Sequence, residues 1–177
     1  MRTVYSGELP VSYSQFSVES RTEGWGAQPW PPRAGQRNGL CGAAVPGYLF
    51  LTTGLHTGRV GLTVEVHETA PPVDEVWEDV VEASFRPAST STVVLPWGEG
   101  PLCDVGLTIT DHRVRYCARG MDHTPDDELA VLDGGEPFDH YLLQLWPAPP
   151  AADRILRRTS HAADYWHGVA RRHASHG

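Results

Sequence analysis

Two segments near the C-terminal end constrain this chain more than any other part: residues 113–122 and residues 141–147. In the first, Arg113, Arg115 and Arg119 are two and four residues apart, so in an extended chain they share one side. The second, Tyr141 to Trp146, is more continuously apolar and is stopped by Pro147. An alternating segment, a polar loop and an apolar segment read as the last two strands of an antiparallel sheet. A chain that closes in this way is expected to be mainly β: a single-domain antiparallel β-sandwich of seven to eight strands. The spacing of Ala162, Tyr165, Trp166 and Val169 adds one amphipathic helix. Residues 1–160 are expected to form the sandwich, and residues 161–177 the C-terminal helix with a frayed tail.

The remaining strands are read from local patterns. Residues 9–20 alternate with a change of phase near Ser14 or Gln15, which predicts a strand with a bulge. Residues 48–53 and 59–67 flank a loop with glycine at each end, Gly54 and Gly58, and predict a hairpin. In its second arm Val60, Leu62, Val64 and Val66 face the core. Residues 76–85 fit either a helix face or an interrupted strand; Arg86 and Pro87 end the run and favour the strand. Residues 122–128 read as a polar loop.

At 177 residues the chain is long enough for one domain with a real core. Its 22 acidic residues outnumber 14 basic ones, every one of them Arg, for a net charge of -8. Proteins that bind nucleic acid without regard to sequence need a basic face to displace counterions, so direct nucleic-acid binding is not expected. No apolar run approaches a membrane span and no signal segment opens the chain, so the expected location is cytoplasmic. Cys41, Cys103 and Cys117 show no CxxC spacing and read as small buried side chains, not a disulfide framework.

Catalytic patterns are missing. There is no G-x-S-x-G turn for a serine nucleophile. His161, His167 and His173 are six residues apart, which on a helix turns successive side chains by about 240° and prevents convergence on one ion. The expectation is therefore a protein without enzymatic activity, with no catalytic residue, metal or cofactor assigned. Acidic residues cluster twice and read first as a solvated negative face and second as a protein-binding surface; the set assigned to a partner is Glu75, Glu78, Asp79 and Glu82 in the first cluster and Asp126 and Asp127 in the second. The second cluster lacks the spacing of a calcium loop. The arginine row is expected to pair with carboxylates on a neighbouring strand, either Asp139 or the region from Glu65 to Glu82.

The segment from Leu9 to Val18, LPVSYSQFSV, resembles the opening strand of the competence protein J (ComJ) family, and the strands around Arg115-Tyr116 and from Tyr141 look like its closing strands. Uncharacterised actinobacterial relatives of that family share the likeness. The family is regarded as inhibiting a DNA-entry nuclease, so the resemblance implies a protein-binding module whose partner is a basic nuclease. Two alternatives stand beside it. One is a small-molecule or carbohydrate-binding β-sandwich with Trp25, Trp30 or Trp97 as stacking platforms; the other is a metal-assisted hydrolase using histidines at strand ends.

Overall fold

The computed structural model describes residues 1–20 and 31–174. Its strands are β1 (Arg2–Ser12), β2 (Gln15–Glu19), β3 (Cys41–Gly42), β4 (Tyr48–Thr52), β5 (Thr57–Val66), β6 (Asp79–Phe85), β7 (Val93–Pro96), β8 (Cys103–Asp104), β9 (His112–Arg119), β10 (His140–Pro147) and β11 (Arg154–Arg157). Helix α1 (Pro125–Leu132) lies between β9 and β10, and α2 (His161–Ala174) closes the described chain. The strands form one open sheet in the order β11, β6, β9, β10, β5, β1, β2, β4, β3, with β7 beside β2 and β8 beside β7.

This architecture is mainly β with a C-terminal helix, as the sequence implies, but the expected antiparallel sandwich of seven to eight strands is replaced by one mixed 11-stranded sheet. The mixing arises at β10. It pairs antiparallel with β9, Leu143 opposite Tyr116 and Leu145 opposite Val114, and parallel with β5, Leu143 opposite Val64. A parallel neighbour is distant along the chain, so local patterns cannot announce it. The sheet bends enough for β9 to reach β4: the Tyr116 hydroxyl donates to the Thr52 carbonyl at 3.1 Å, and its ring meets Phe16 edge-on at 6.0 Å. Leu9, Val60, Leu62, Val64, Val81, Val114, Leu143, Leu49 and Leu51 thus enter one core.

Three local readings change. The phase slip near Ser14 is a chain reversal, not a bulge: Tyr13 and Ser14 sit at φ 59° and 54°, and Ser12 opposite Gln15 is the sole register pair joining β1 to β2. Two consecutive left-handed residues match the twist of a tight hairpin turn, here without the usual Asn-Gly. The hairpin expected between residues 48–53 and 59–67 does not form, because other groups take the loop's donors. Gly54 N–H donates to the Tyr141 hydroxyl at 2.7 Å, Leu55 N–H to Asp139 at 3.2 Å and Thr53 N–H to the Ser14 carbonyl at 3.0 Å. The arms then diverge, β4 to β2 and β5 to β1. The polar loop after Asp122 contains α1, started by Thr124 and Asp127, each side chain accepting from the other's backbone N–H. Residues 79–85, by contrast, are the strand the sequence favours.

Helix α2 is attached through its first turn and its middle. Asp79 accepts from Thr159 N–H, Ser160 N–H and the Ser160 hydroxyl at 2.7, 3.3 and 2.6 Å, while Asp122 accepts from His161 and Ala162 N–H at 2.8 and 2.9 Å. The donors orphaned at a helix start are thereby satisfied by carboxylates, which the helix dipole also favours. Further along, fully buried His167 accepts Gly39 N–H on Nδ1 at 2.9 Å. A Cβ at Gly39 would lie 2.0 Å from the Trp166 carbonyl oxygen, so only glycine lets the loop approach this closely.

Burial depresses the His167 imidazole to about 4. Between its ordinary value of about 6.5 and about 4 the unfolded chain takes up a proton that the folded chain refuses, so stability falls as pH falls through that window. His167 is expected to account for a loss of about 3 kcal/mol across it. His167→Asn keeps an acceptor for Gly39 and cannot charge; urea unfolding at pH 7 and pH 4 should show a shallower loss for this variant than for the natural chain.

Candidate partner-binding surface

The arginine row on β9 finds its carboxylate on β6. Glu82 accepts from Arg113 Nε at 3.3 Å on one oxygen and from Arg115 Nε and Nη2 at 3.1 and 2.9 Å on the other. Register sets this meeting, since Glu82 lies opposite Arg115 and Ser84 opposite Arg113. The remaining guanidinium donors reach the carbonyls of Pro71, Pro72, Ala151 and Ala152 at 2.8 to 3.3 Å. Three charged residues, each no more than 6% exposed, thus tie two irregular segments onto the outer face of the sheet. Of the two carboxylate sources named from the sequence, Glu82 supplies the pairing and Asp139 bonds to Leu55 and Tyr141 instead.

This changes the expected partner-binding set. Glu82 is buried under the loops that it helps to hold, and Asp79 is fully buried at the start of α2, so neither contributes to an outer acidic face. Asp127 lies on α1, but its carboxylate accepts from Thr124 N–H and hydroxyl, both at 2.8 Å, and these bonds hold it below the usual carboxylate range. Glu75 and Asp126 are exposed and their side chains have no partner among the described residues. Exposed Glu78 accepts Gly120 N–H at 2.8 Å.

A groove of about 540 Å³ lies on the outer face of β1, β5 and β10. Trp77, from the segment carrying Glu75 and Glu78, lines it together with Glu136 and Pro137, which follow α1. Across its floor the register places Arg119, His140, Gly61 and Glu8 in one row over four strands. Arg119 lies 5.7 Å from the Trp77 ring, and Glu8 pairs with Arg59 at 2.6 Å. Composition alone gives no signal for this row; Glu8 and His140 are far apart in sequence and share it only through the parallel β5/β10 register.

A second cavity, of about 440 Å³, lies on β2, β4 and β7. Trp97, 54% exposed, lines it with Phe16, Tyr48 and Phe50. Trp25 and Trp30 lie outside the described residues. No group of three His, Cys, Asp or Glu side chains placed to hold a metal ion occurs among the described residues, and no helix there is long and apolar enough to cross a membrane. The three cysteines are free; burial pushes the Cys41 and Cys117 thiols up to about 12, which keeps them unreactive at neutral pH.

Among solved structures, ComJ of Bacillus subtilis, an inhibitor of the DNA degrading activity of NucA, matches with a TM-score of 0.59 over 83% of this chain and 98% of its own, at 16% identity. The fold is ComJ-like. A second structure, described as crocagin biosynthetic gene J, matches with a TM-score of 0.51 over 84% of this chain and 100% of its own, at 15% identity. No family model matches the chain, and no curated protein does. Identities this low establish shared architecture and leave function to be argued from the surface.

The acidic residues are expected to separate into two classes. Glu82→Ala leaves Arg113 and Arg115 buried without their carboxylate and should cost about 3–5 kcal/mol. Glu75→Ala and Asp126→Ala should stay within about 0.5 kcal/mol. Urea unfolding of the three variants checks both.

Proposed function

We propose that this chain is a non-enzymatic protein-binding module that inhibits a basic nuclease. The observation that carries the reading is the likeness of its fold to ComJ over nearly the whole of that chain. The surface supports it physically. A nuclease that degrades DNA must hold a polyanion, so its cleft is basic, and an acidic protein of net charge -8 is complementary to such a cleft. Of the six carboxylates assigned to a partner from the sequence, Glu75, Glu78 and Asp126 are exposed, while Asp79, Glu82 and Asp127 are taken up in internal bonds.

The lysine substitutions Glu75→Lys and Asp126→Lys together should weaken inhibition of the partner nuclease at least tenfold at low salt, with unchanged unfolding. The wild-type inhibition constant should rise with ionic strength. Unchanged affinity in the double variant would remove these carboxylates from the interface.

The aromatic cavity beside Trp97 favours a second reading, a site for a small molecule or carbohydrate. Its volume lies in the range of ordinary ligand pockets. Under that reading a sugar panel quenches tryptophan fluorescence in the natural chain and not in Trp97→Ala; no quenching in either would leave the cavity without a saccharide role.

A further inference from the structure

Helix α1 buries one large apolar side chain and leaves two more than half exposed. Val131 is its buried anchor, 2% exposed and set over Gly58, where an added Cβ would lie 3.3 Å from the valine Cγ1. Leu129 and Leu132 are 59% and 58% exposed. Three residues apart, they are neighbours on the helix surface. The helix does not need them to hold its shape. Thr124 and Asp127 cap its start, His123 Nε2 bonds Glu128 at 2.9 Å, and its end is closed by Asp133 N–H on the Leu129 carbonyl at 2.9 Å and Gly134 N–H on the Val131 carbonyl at 3.1 Å.

The segment that carries this leucine pair is acidic, and the cation that reaches it, Arg59 at the Gly135 carbonyl, is itself paired with Glu8. Asp126, Asp127 and Glu128 occupy the first turn, Asp133 the C-cap and Glu136 the following loop. No Arg or Lys occurs between Arg119 and Arg154. The first-turn carboxylates favour the helix dipole, whereas Asp133 at the C-cap opposes it and does not serve the helix itself. An apolar centre within a charged rim is the anatomy of a protein interface.

We infer that α1 is a docking helix: Leu129 and Leu132 seat in an apolar depression of a basic protein partner, and the carboxylates around them meet its cationic cleft. The inference rests on the nuclease-inhibitor reading and names the element that carries it. Charge complementarity selects this occupant. A polyanion would be repelled by the same rim, and the ends of α1 are already closed by its own caps.

The test compares the natural chain with a Leu129→Ser/Leu132→Ser double variant. The probes are NucA and any DNA-degrading nuclease purified with the chain from its host, assayed by DNA cleavage. Expected is inhibition by the natural chain, at least tenfold weaker inhibition by the double variant, and near-natural inhibition by Leu129→Met/Leu132→Met. Hydrogen exchange of the natural complex should show residues 126–133 newly protected, a readout independent of variant folding. Inhibition by the natural chain that the double variant retains, with no protection of α1, overturns the docking helix and leaves the inhibitor reading standing. No inhibition of any probe by the natural chain overturns that reading and the inference with it. A natural-chain dimer that the double variant converts to monomer, seen by sedimentation, assigns the leucines to self-association and also overturns the inference.

Discussion

The pairing of Glu82 with Arg113 and Arg115 is the constraint on which the outer face of this protein depends. A buried carboxylate with two guanidinium partners is costly to desolvate and tolerable only when nearly every donor and acceptor is used. Here they are used. The donors left over after Glu82 bind carbonyls at Pro71, Pro72, Ala151 and Ala152, so one ionic cluster on β6 and β9 fixes two segments without regular structure. Arginine suits this role where lysine would not, because its planar fork serves a carboxylate and a carbonyl at once.

That arrangement determines which acidic residues remain available outside. Asp79 and Asp122 are committed to the start of α2, Asp127 to the start of α1, and Asp153 to Arg37 and Asn38. Of the carboxylates left exposed, Glu75 and Glu78 flank Trp77 and Glu136 follows α1, and Trp77 and Glu136 line one groove; Glu68 and Glu99 are exposed elsewhere. A protein of this charge therefore does not present a uniformly negative surface. On α1 and its following loop carboxylates stand beside exposed Leu129 and Leu132, so a basic partner can be met there by both.

Much of the fold is legible in the sequence, and the exceptions have physical causes. The alternation of β5, the strand at residues 79–85, the antiparallel β9/β10 pair and helix α2 follow from periodicity; that β9 and β10 are the last two strands does not hold, since β11 follows and pairs with β6. The β5/β10 parallel register does not, because it joins residues about eighty apart through no local signal. The Tyr13-Ser14 reversal was hidden by its residue types, since a two-residue turn is ordinarily announced by Asn-Gly. Helix α1 carried a readable mark in Thr124 and Asp127, a capping pair three residues apart, which the density of acidic side chains obscured. For the site, the arginine row pointed correctly to a carboxylate in the region of Glu82; the same residue could not also serve a partner, and sequence alone does not separate buried carboxylates from exposed ones.

Competition with DNA tests the proposed role most directly. The inhibition constant of the chain against its nuclease is measured at increasing concentrations of a non-cleavable DNA duplex. If the acidic surface occupies the cleft that holds the polyanion, the apparent constant rises in proportion to duplex concentration. A constant independent of DNA would show that the chain binds elsewhere on the enzyme, and would contradict the electrostatic mechanism.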